Sequence, residues 1–331
     1  MIVLILAAIL DYLMGDPWGW IHPVQVMGWI ISKFTNLVLK ITNKKWLRRI
    51  AGIILGISLT FGSGIVVWLI IVLATKINYW LGILIEVILL ASCFAGRSLN
   101  KAARDVLQPL AQGNIQEARS RLSLYVGRDT DNLSSSEIFR ALLETVAENS
   151  IDGVTSPLFF AILGSLIGGL GAAPLAVTAG APLAIAYKAA STLDSMIGYK
   201  KEPFVDLGWF SAKLEDCLTF IPCRLTVLTL ALISGKPTRV ISLCGTDAIK
   251  DPSPNSGWSE CAYAAILEVQ LGGKNTYQGE VKLKPLLGNP TYPISEDKIY
   301  EALQLTRSCF LIWLSLGLLI ISGFQFSLGI V

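Results

Sequence analysis

Residues 154–186 run for 33 positions without a charged side chain, and residues 50–74 and 308–331 are equally uncharged. About 20 apolar residues suffice for a helix to cross the hydrocarbon core of a bilayer. A chain with several such runs is therefore read as an integral membrane protein. Because lipid offers no partner for backbone N–H and C=O groups, its spans must be helices. Composition agrees: 53% of residues are hydrophobic, 15% are charged and the mean hydropathy is +0.59, whereas soluble domains average roughly 25% charged residues. The predicted fold is all-α, a polytopic helical bundle with cytoplasmic-side helices and loops, forming a single domain over 1–331.

Charge orders the spans. Lys33, Lys40, Lys44, Lys45, Arg48 and Arg49 fall in a segment without acids, which the positive-inside rule assigns to the cytoplasm. Residues 50–74 then cross and 80–96 return, with Glu86 turned to the bundle interior because an ionisable group facing lipid is costly. Gly168, Gly169, Gly171 and Pro174 interrupt the 154–186 run, so it is expected to go out and come back as a helical hairpin. Residues 217–234 are read as buried or re-entrant, 274–307 as a polar connection and 308–331 as a last helix. Residues 1–10 are too short for a clear span. Residues 11–28 hold Gly15, Pro17, Gly19 and Pro23 and are expected to be a turn-rich loop. Asp11, Asp16 and His22 are its chemical groups, and Trp18 and Trp20 suit the membrane interface.

Several classes are excluded. A net charge of +3 without a basic stripe argues against nucleic acid as a partner. Six scattered cysteines without a CxxC pair, and a single histidine, argue against a His/Cys metal site. The phosphate-binding pattern GxxxxGK[ST] is absent. The N-terminus has no basic region and no cleavage site of a signal peptide.

The densest chemistry lies at 127–153, GRDTDNLSSSEIFRALLETVAENSIDG. Ser134 with Glu137 reads as a capping box, starting a helix near Ser135. Arg140, Glu144 and Glu148 then recur at four-residue steps on one face, with Asp152 near it. Two readings stand: a solvated face with i,i+4 ion pairs, or a carboxylate cluster holding Mg²⁺ together with a phosphorylated substrate. Further on, Tyr187, Ser191 and Asp194 share a helix face with Lys188 beside it. Lys213, Glu215 and Asp216 open another helix. Asn255 or Ser256 is the expected N-cap of a helix closed by Gly272 or Gly273, and its start offers backbone N–H groups to an anion.

Taken jointly, short motifs resemble one family. They are GDP at 15–17, HPV at 22–24, GRDT at 127–130, AEN at 147–149, STLDSMIGYK at 191–200, GW at 208–209, IPCRLT at 221–226 and SPNSGW at 253–258. In order and extent they are similar to the adenosylcobinamide-phosphate synthases of cobalamin biosynthesis (CobD/CbiB). Ser191, Asp251 and Glu215 depart from the family's usual Asn, His and Asp, which weighs against a histidine base at the 251 loop. The resemblance implies an inner-membrane enzyme with a cytoplasmic-side active site. It would join adenosylcobyric acid to an aminopropanol or its phosphate, using ATP and Mg²⁺.

On that reading Glu144, Glu148, Asp194 and Asp216 are the catalytic candidates, and Asp129, Glu148 and Asp152 the metal ligands. Arg128, Arg140, Lys188 and Lys250 would neutralise phosphate. His22, Asn149, Ser253, Asn255, Ser256, Gly257 and Trp258 would contact substrate, with Trp209 a further surface for the flat corrinoid. The expected partners are the two substrates, the lipid bilayer and other late enzymes of the pathway. A transporter, or a non-catalytic corrinoid sensor on the same scaffold, is the alternative.

Overall fold

The computed structural model describes residues 1–15, 22–169 and 179–327. In chain order the helices are α1 (Ile2–Met14), α2 (Pro23–Ile41), α3 (Lys45–Ile77), α4 (Tyr79–Ala91), α5 (Gly96–Ala111), α6 (Ile115–Leu122) and α7 (Ser135–Asn149). A π-helical turn at Ser150–Thr155 leads into α8 (Ser156–Gly169), followed by α9 (Gly180–Ile197), α10 (Phe204–Leu207), α11 (Trp209–Ile233), α12 (Pro237–Asp247) and α13 (Ser256–Leu267). Strands β1 (Leu271–Tyr277) and β2 (Glu280–Leu287) precede α14 (Glu296–Ser327). The fold is an all-α polytopic membrane bundle carrying one β-hairpin. Among the described residues, five helical stretches are long and apolar enough to cross a bilayer: Lys45–Ile77, Tyr79–Ala111, Ser135–Gly168, Trp209–Ile233 and Glu296–Ser327.

Several expectations are corrected. Residues 11–14 and 23–28, expected in a turn-rich loop, are helical, since α1 reaches Met14 and α2 begins at Pro23. Pro23 opens α2 because the first helical residue needs no N–H partner, and His22 caps it, its Nδ1 accepting from the Val24 N–H at 3.2 Å. Asp16, Trp18 and Trp20, and the Gly171 and Pro174 interruption, lie outside the described residues. Residues 217–233 belong to one uninterrupted helix of 25 residues, Trp209–Ile233, despite Pro222, and that helix is long and apolar enough to cross a bilayer. The 274–307 connection is instead most of the hairpin and the start of α14. Helix α13 closes at Glu268, which takes the left-handed conformation (φ 58°), and Gly272 and Gly273 lie in β1.

The chain folds into two compact units. The first comprises Met1–Ala95, Ser156–Thr219 and the chain from Ile312. Within it α3 packs on α9 through small residues, as helices in lipid do when backbones must come close. A Cβ on Gly64 would stand 3.1 Å from the Pro182 carbonyl oxygen. Glu86 is buried on α4, as its cost in lipid requires. Arg49 at the polar start of α3 pairs with buried Asp206 at 2.8 Å.

The second unit comprises Gly96–Thr155 and Phe220–Leu311. Its core forms around α7 and α13, where Ile138, Leu142, Leu143, Val146, Tyr263 and Leu267 are fully buried. The antiparallel hairpin lies against both helices, with Leu271 opposite Leu287 and Tyr277 opposite Glu280. Its two-residue turn, Gln278–Gly279, has positive φ at both positions (51° and 79°), the geometry that matches the twist of the flanking strands.

Candidate functional site

The site is built on α7. The capping box forms as expected: the Ser134 N–H donates to Glu137 Oε2 at 2.8 Å and the Glu137 N–H to Ser134 Oγ at 3.4 Å. Fixing that start fixes the helical phase, which puts Arg140, Glu144 and Glu148 in one row. The row is graded in depth, because Glu144 is 2% exposed while Glu148 and Asn149 face solvent.

Glu144 is the electrostatic centre of the unit. One oxygen accepts from Arg128 Nη2; the other accepts from the Gly272 N–H at 2.9 Å and pairs with Arg140 at 3.4 Å. Arg128 also donates to Asn275 Oδ1 at 2.9 Å, and Arg140 reaches the Gly272 and Lys274 carbonyls. Of the two fates foreseen for the stripe, the i,i+4 ion pair forms between Arg140 and Glu144, but this carboxylate is buried rather than solvated and clamps β1 onto α7 through two guanidinium groups. Asp129 has a related task. Its two oxygens accept from the Gln278 and Gly279 N–H groups at 2.9 and 2.8 Å, and its own N–H donates to the Thr276 carbonyl at 2.8 Å.

Beside this clamp lies a cavity of about 120 Å³ lined by Arg128, Glu144, Glu148, Asn149, Glu260 and Lys284, with Tyr125 and Tyr277 at its sides. Lys284 of β2 bonds Glu260 Oε1 of α13 at 3.0 Å. Glu260 is fully buried, and its Oε2 has no hydrogen-bond partner among the described residues. Burial pushes its carboxyl up to about 8; Lys284 opposes the shift, while Glu144 and Glu148 add to it. For Lys284, burial works against the charge, but the attraction of Glu260, Glu148 and Glu144 outweighs it and holds the ammonium protonated. Sequence reasoning passed over both residues. One signal was available for Glu260: it is the sole charged side chain in SGWSECAYAAIL, an otherwise largely apolar helix that begins within the SPNSGW motif. Lys284 gave none, being one of many lysines in a polar segment.

Other foreseen residues of this unit have different surroundings. Asn255 is buried and accepts from Arg224 at 2.7 Å; that guanidinium lies over the Phe220 and Trp258 rings, 4.1 and 4.9 Å from their centroids. The Asn255 and Ser256 N–H groups both donate to Ser253 Oγ, at 3.3 and 3.2 Å. Gly257 allows α13 to approach the preceding loop, since a Cβ there would stand 2.7 Å from the Ala248 carbonyl oxygen. At the start of α13 these two N–H groups thus turn to the preceding loop. Lys250 is exposed and paired with Asp247 at 2.7 Å, and Asp152 is half-buried in the π-helical turn. His22, Lys188, Asp194 and Asp216 belong to the other unit. There Lys188 and Asp194 are half-buried on α9, and Asp216 pairs with Lys213 at 3.3 Å. In the same unit Glu215 accepts from Thr219, whose hydroxyl meets that of Tyr187 at 3.0 Å.

Among the described residues no group of three or more His, Cys, Asp or Glu side chains could hold a metal unaided. Of the carboxyl groups lining the cavity, Glu144 is engaged by two arginines and Glu260 by Lys284, and Glu148 carries no hydrogen bond or ion pair among the described residues, so it is the one a cation there would meet.

Comparison with known proteins decides the lineage. The family model described as CobD/Cbib protein matches residues 4–306. The chain belongs to the CobD/CbiB family. It is 53% identical to a cobalamin biosynthesis protein CobD of Synechocystis sp., covering 96% of this chain and 91% of that protein. To CobD of Halalkalibacterium halodurans it is 38% identical, with 99% and 98% covered, and to CbiB of Salmonella arizonae 39%, with 91% of each covered. No solved structure matches. Membership in CobD/CbiB places the chain in cobalamin biosynthesis, and its apolar helices make it a membrane protein of that pathway.

Proposed function

We propose that this chain is an adenosylcobinamide-phosphate synthase. It would join the free carboxyl of adenosylcobyric acid to the amine of (R)-1-amino-2-propanol, or of its O-2-phosphate, with ATP and Mg²⁺, at the cytoplasmic face of the inner membrane. The observation that carries this reading is the acid-rich cavity between α7, α13 and the hairpin, in a chain of the CobD/CbiB family.

A carboxylate is a poor electrophile, so the reaction needs activation. Transfer of the γ-phosphoryl group to a carboxylate oxygen gives an acyl phosphate and ADP. The amine nitrogen then attacks the carbonyl carbon, the C–N bond forms, the C–O bond to phosphate breaks, and phosphate leaves with the electron pair. Catalysis of the first step is mainly positioning and charge neutralisation. Arg128, held by Glu144 and Asn275, is a preorganised cation for phosphate oxygens, and Lys284 adds a second charge. Mg²⁺, when bound, would screen phosphate charge while taking few protein ligands. Glu148 is the cavity carboxylate left to meet it, since both Asp129 oxygens are engaged by the hairpin turn.

Purified protein incubated with adenosylcobyric acid, aminopropanol phosphate, ATP and Mg²⁺ should give a product whose mass reports the new amide. Glu148→Gln should abolish the product while the protein still accumulates in the membrane. Corrinoid flux into sealed vesicles without ATP-dependent product would favour the transporter instead.

A further inference from the structure

We propose that Glu260 receives the amine substrate's ammonium group in this cavity and takes the proton that must leave before its nitrogen can attack. The inference rests on the ligase reading above and adds to it the residue that prepares the nucleophile.

Size comes first. At about 120 Å³ the cavity is well below the roughly 300–1,000 Å³ of pockets that enclose a drug-sized ligand. It suits the small amine rather than a macrocycle. Charge comes second: Glu148 carries no ion pair among the described residues, and Glu260 adds a second acid once it has lost its proton, so the lining can receive a cation of that size. The third point singles out Glu260. Buried carboxylate oxygens are nearly always hydrogen-bonded, yet Oε2 of this fully buried side chain has no partner among the described residues, while Oε1 is held by Lys284 at 3.0 Å. An ammonium N–H supplies what Oε2 lacks.

The groups around Glu260 bear on its proton. Lys284 reaches it from β2, Glu144 and Glu148 from α7, and Arg128 lines the same cavity from the loop before α7. Burial and the two acids bring its carboxyl to about 8, closer to a primary amine than an exposed glutamate could be. A base matched in this way to its operating pH is the effective one. The first proton moves from nitrogen to Oε2, the nitrogen lone pair goes to the acyl carbon, the second N–H proton leaves with the departing phosphate, and the acid then returns its own proton to water.

The test separates this role from a structural ion pair. Full-length wild-type protein and Glu260→Gln are each given adenosylcobyric acid, ATP and Mg²⁺, then either aminopropanol or hydroxylamine, whose nitrogen is already unprotonated at neutral pH. The expected result for Glu260→Gln is amide formation with aminopropanol reduced about 100-fold or more, in line with lost general-base catalysis. Corrinoid-dependent ADP release and hydroxamate formation should stay within a few fold of wild type. Equal loss of amide and hydroxamate, or unchanged amide formation, overturns the assignment and leaves the ligase reading intact. If the wild type itself releases no corrinoid-dependent ADP and makes no amide, the ligase reading fails and this inference with it. Should Glu260→Gln not accumulate, Glu260→Asp, which keeps a carboxylate near Lys284 but draws it back from the amine, enters the same assay under the same criteria.

Discussion

The clamp at Glu144 offers the sharpest test of how the site is held. In Glu144→Gln the side chain keeps its shape, and an amide oxygen can still accept from the Gly272 N–H. What disappears is the charge facing Arg128 and Arg140. Arg140 has a 15% exposed side chain and retains the Gly272 and Lys274 carbonyls, so its share of the loss is small, on the order of 1 kcal/mol or less. Arg128 is different. Its side chain is 7% exposed, and without Glu144 it keeps the Asn275 amide oxygen as its hydrogen-bond acceptor. Breaking a buried pair from one side costs roughly 3–5 kcal/mol, so nearly all of the effect should come from this one contact. The damage should fall on the hairpin, which Glu144 and the two arginines fasten to α7. Hydrogen exchange of the detergent-solubilised protein should show amides in 271–287 opening about 100-fold faster or more, at 1.4 kcal/mol per decade. Amides in α3 and α9 should be unchanged. Adding Arg128→Met should recover part of the protection, because it removes the stranded charge. An increase under tenfold, or a double variant that opens faster than Glu144→Gln alone, would refute the clamp.

Three further outcomes follow from other contacts. Glu260 has a folded-state pKa raised from 4.5 to about 8, so the folded protein binds the extra proton and its stability should fall as pH rises between those values. Glu260→Gln should flatten that slope in denaturation measured across the window; an unchanged slope would mean Glu260 titrates as it does when unfolded. Asp129→Ala should loosen the Gln278–Gly279 turn by about 1–3 kcal/mol, the cost of stripping partners from polar groups. It should be seen as faster exchange at those two amides with the Mg²⁺ dependence of turnover preserved, and a changed Mg²⁺ dependence would return Asp129 to the metal. Gly257→Ala should destabilise the unit by about 1–3 kcal/mol through overpacking, since its Cβ would press on Asp251 and the Ala248 carbonyl. Gly245→Ala on α12 meets nothing within 4 Å and should stabilise by about 0.5–1 kcal/mol, so equal melting temperatures for the two would contradict the packing at α13.

What could be read in advance was local. The Ser134–Glu137 box is a contact between neighbours and fixes the start of α7 from four residues. The uncharged runs announce helices because lipid permits little else. Pro23 was misread because proline breaks helices far more often than it opens them, and only His22 as a cap turns the balance. The hairpin was missed for a related reason. LGGKNTYQGEVKLKPLL has weak alternation and several glycines, so no strand pattern stands out. Its stability comes from Glu144 and Asp129, more than 120 residues earlier in the chain.

That distance explains why the stripe on α7 was ambiguous. Spacing told which face Glu144 and Glu148 share but not what covers it. Covering the row's middle with β1 turns Glu144 into an anchor and leaves Glu148, one turn on, at the mouth of the cavity. The same strand pair carries Lys284 to Glu260, a carboxyl that would otherwise be buried without a cation. One hairpin thus assigns two glutamates of α7 to different tasks and supplies the charge that makes a third tolerable in α13. Neither α7 nor α13 could disclose the cavity alone, because each contributes acids whose partners come from β1, β2 and the loop at Arg128.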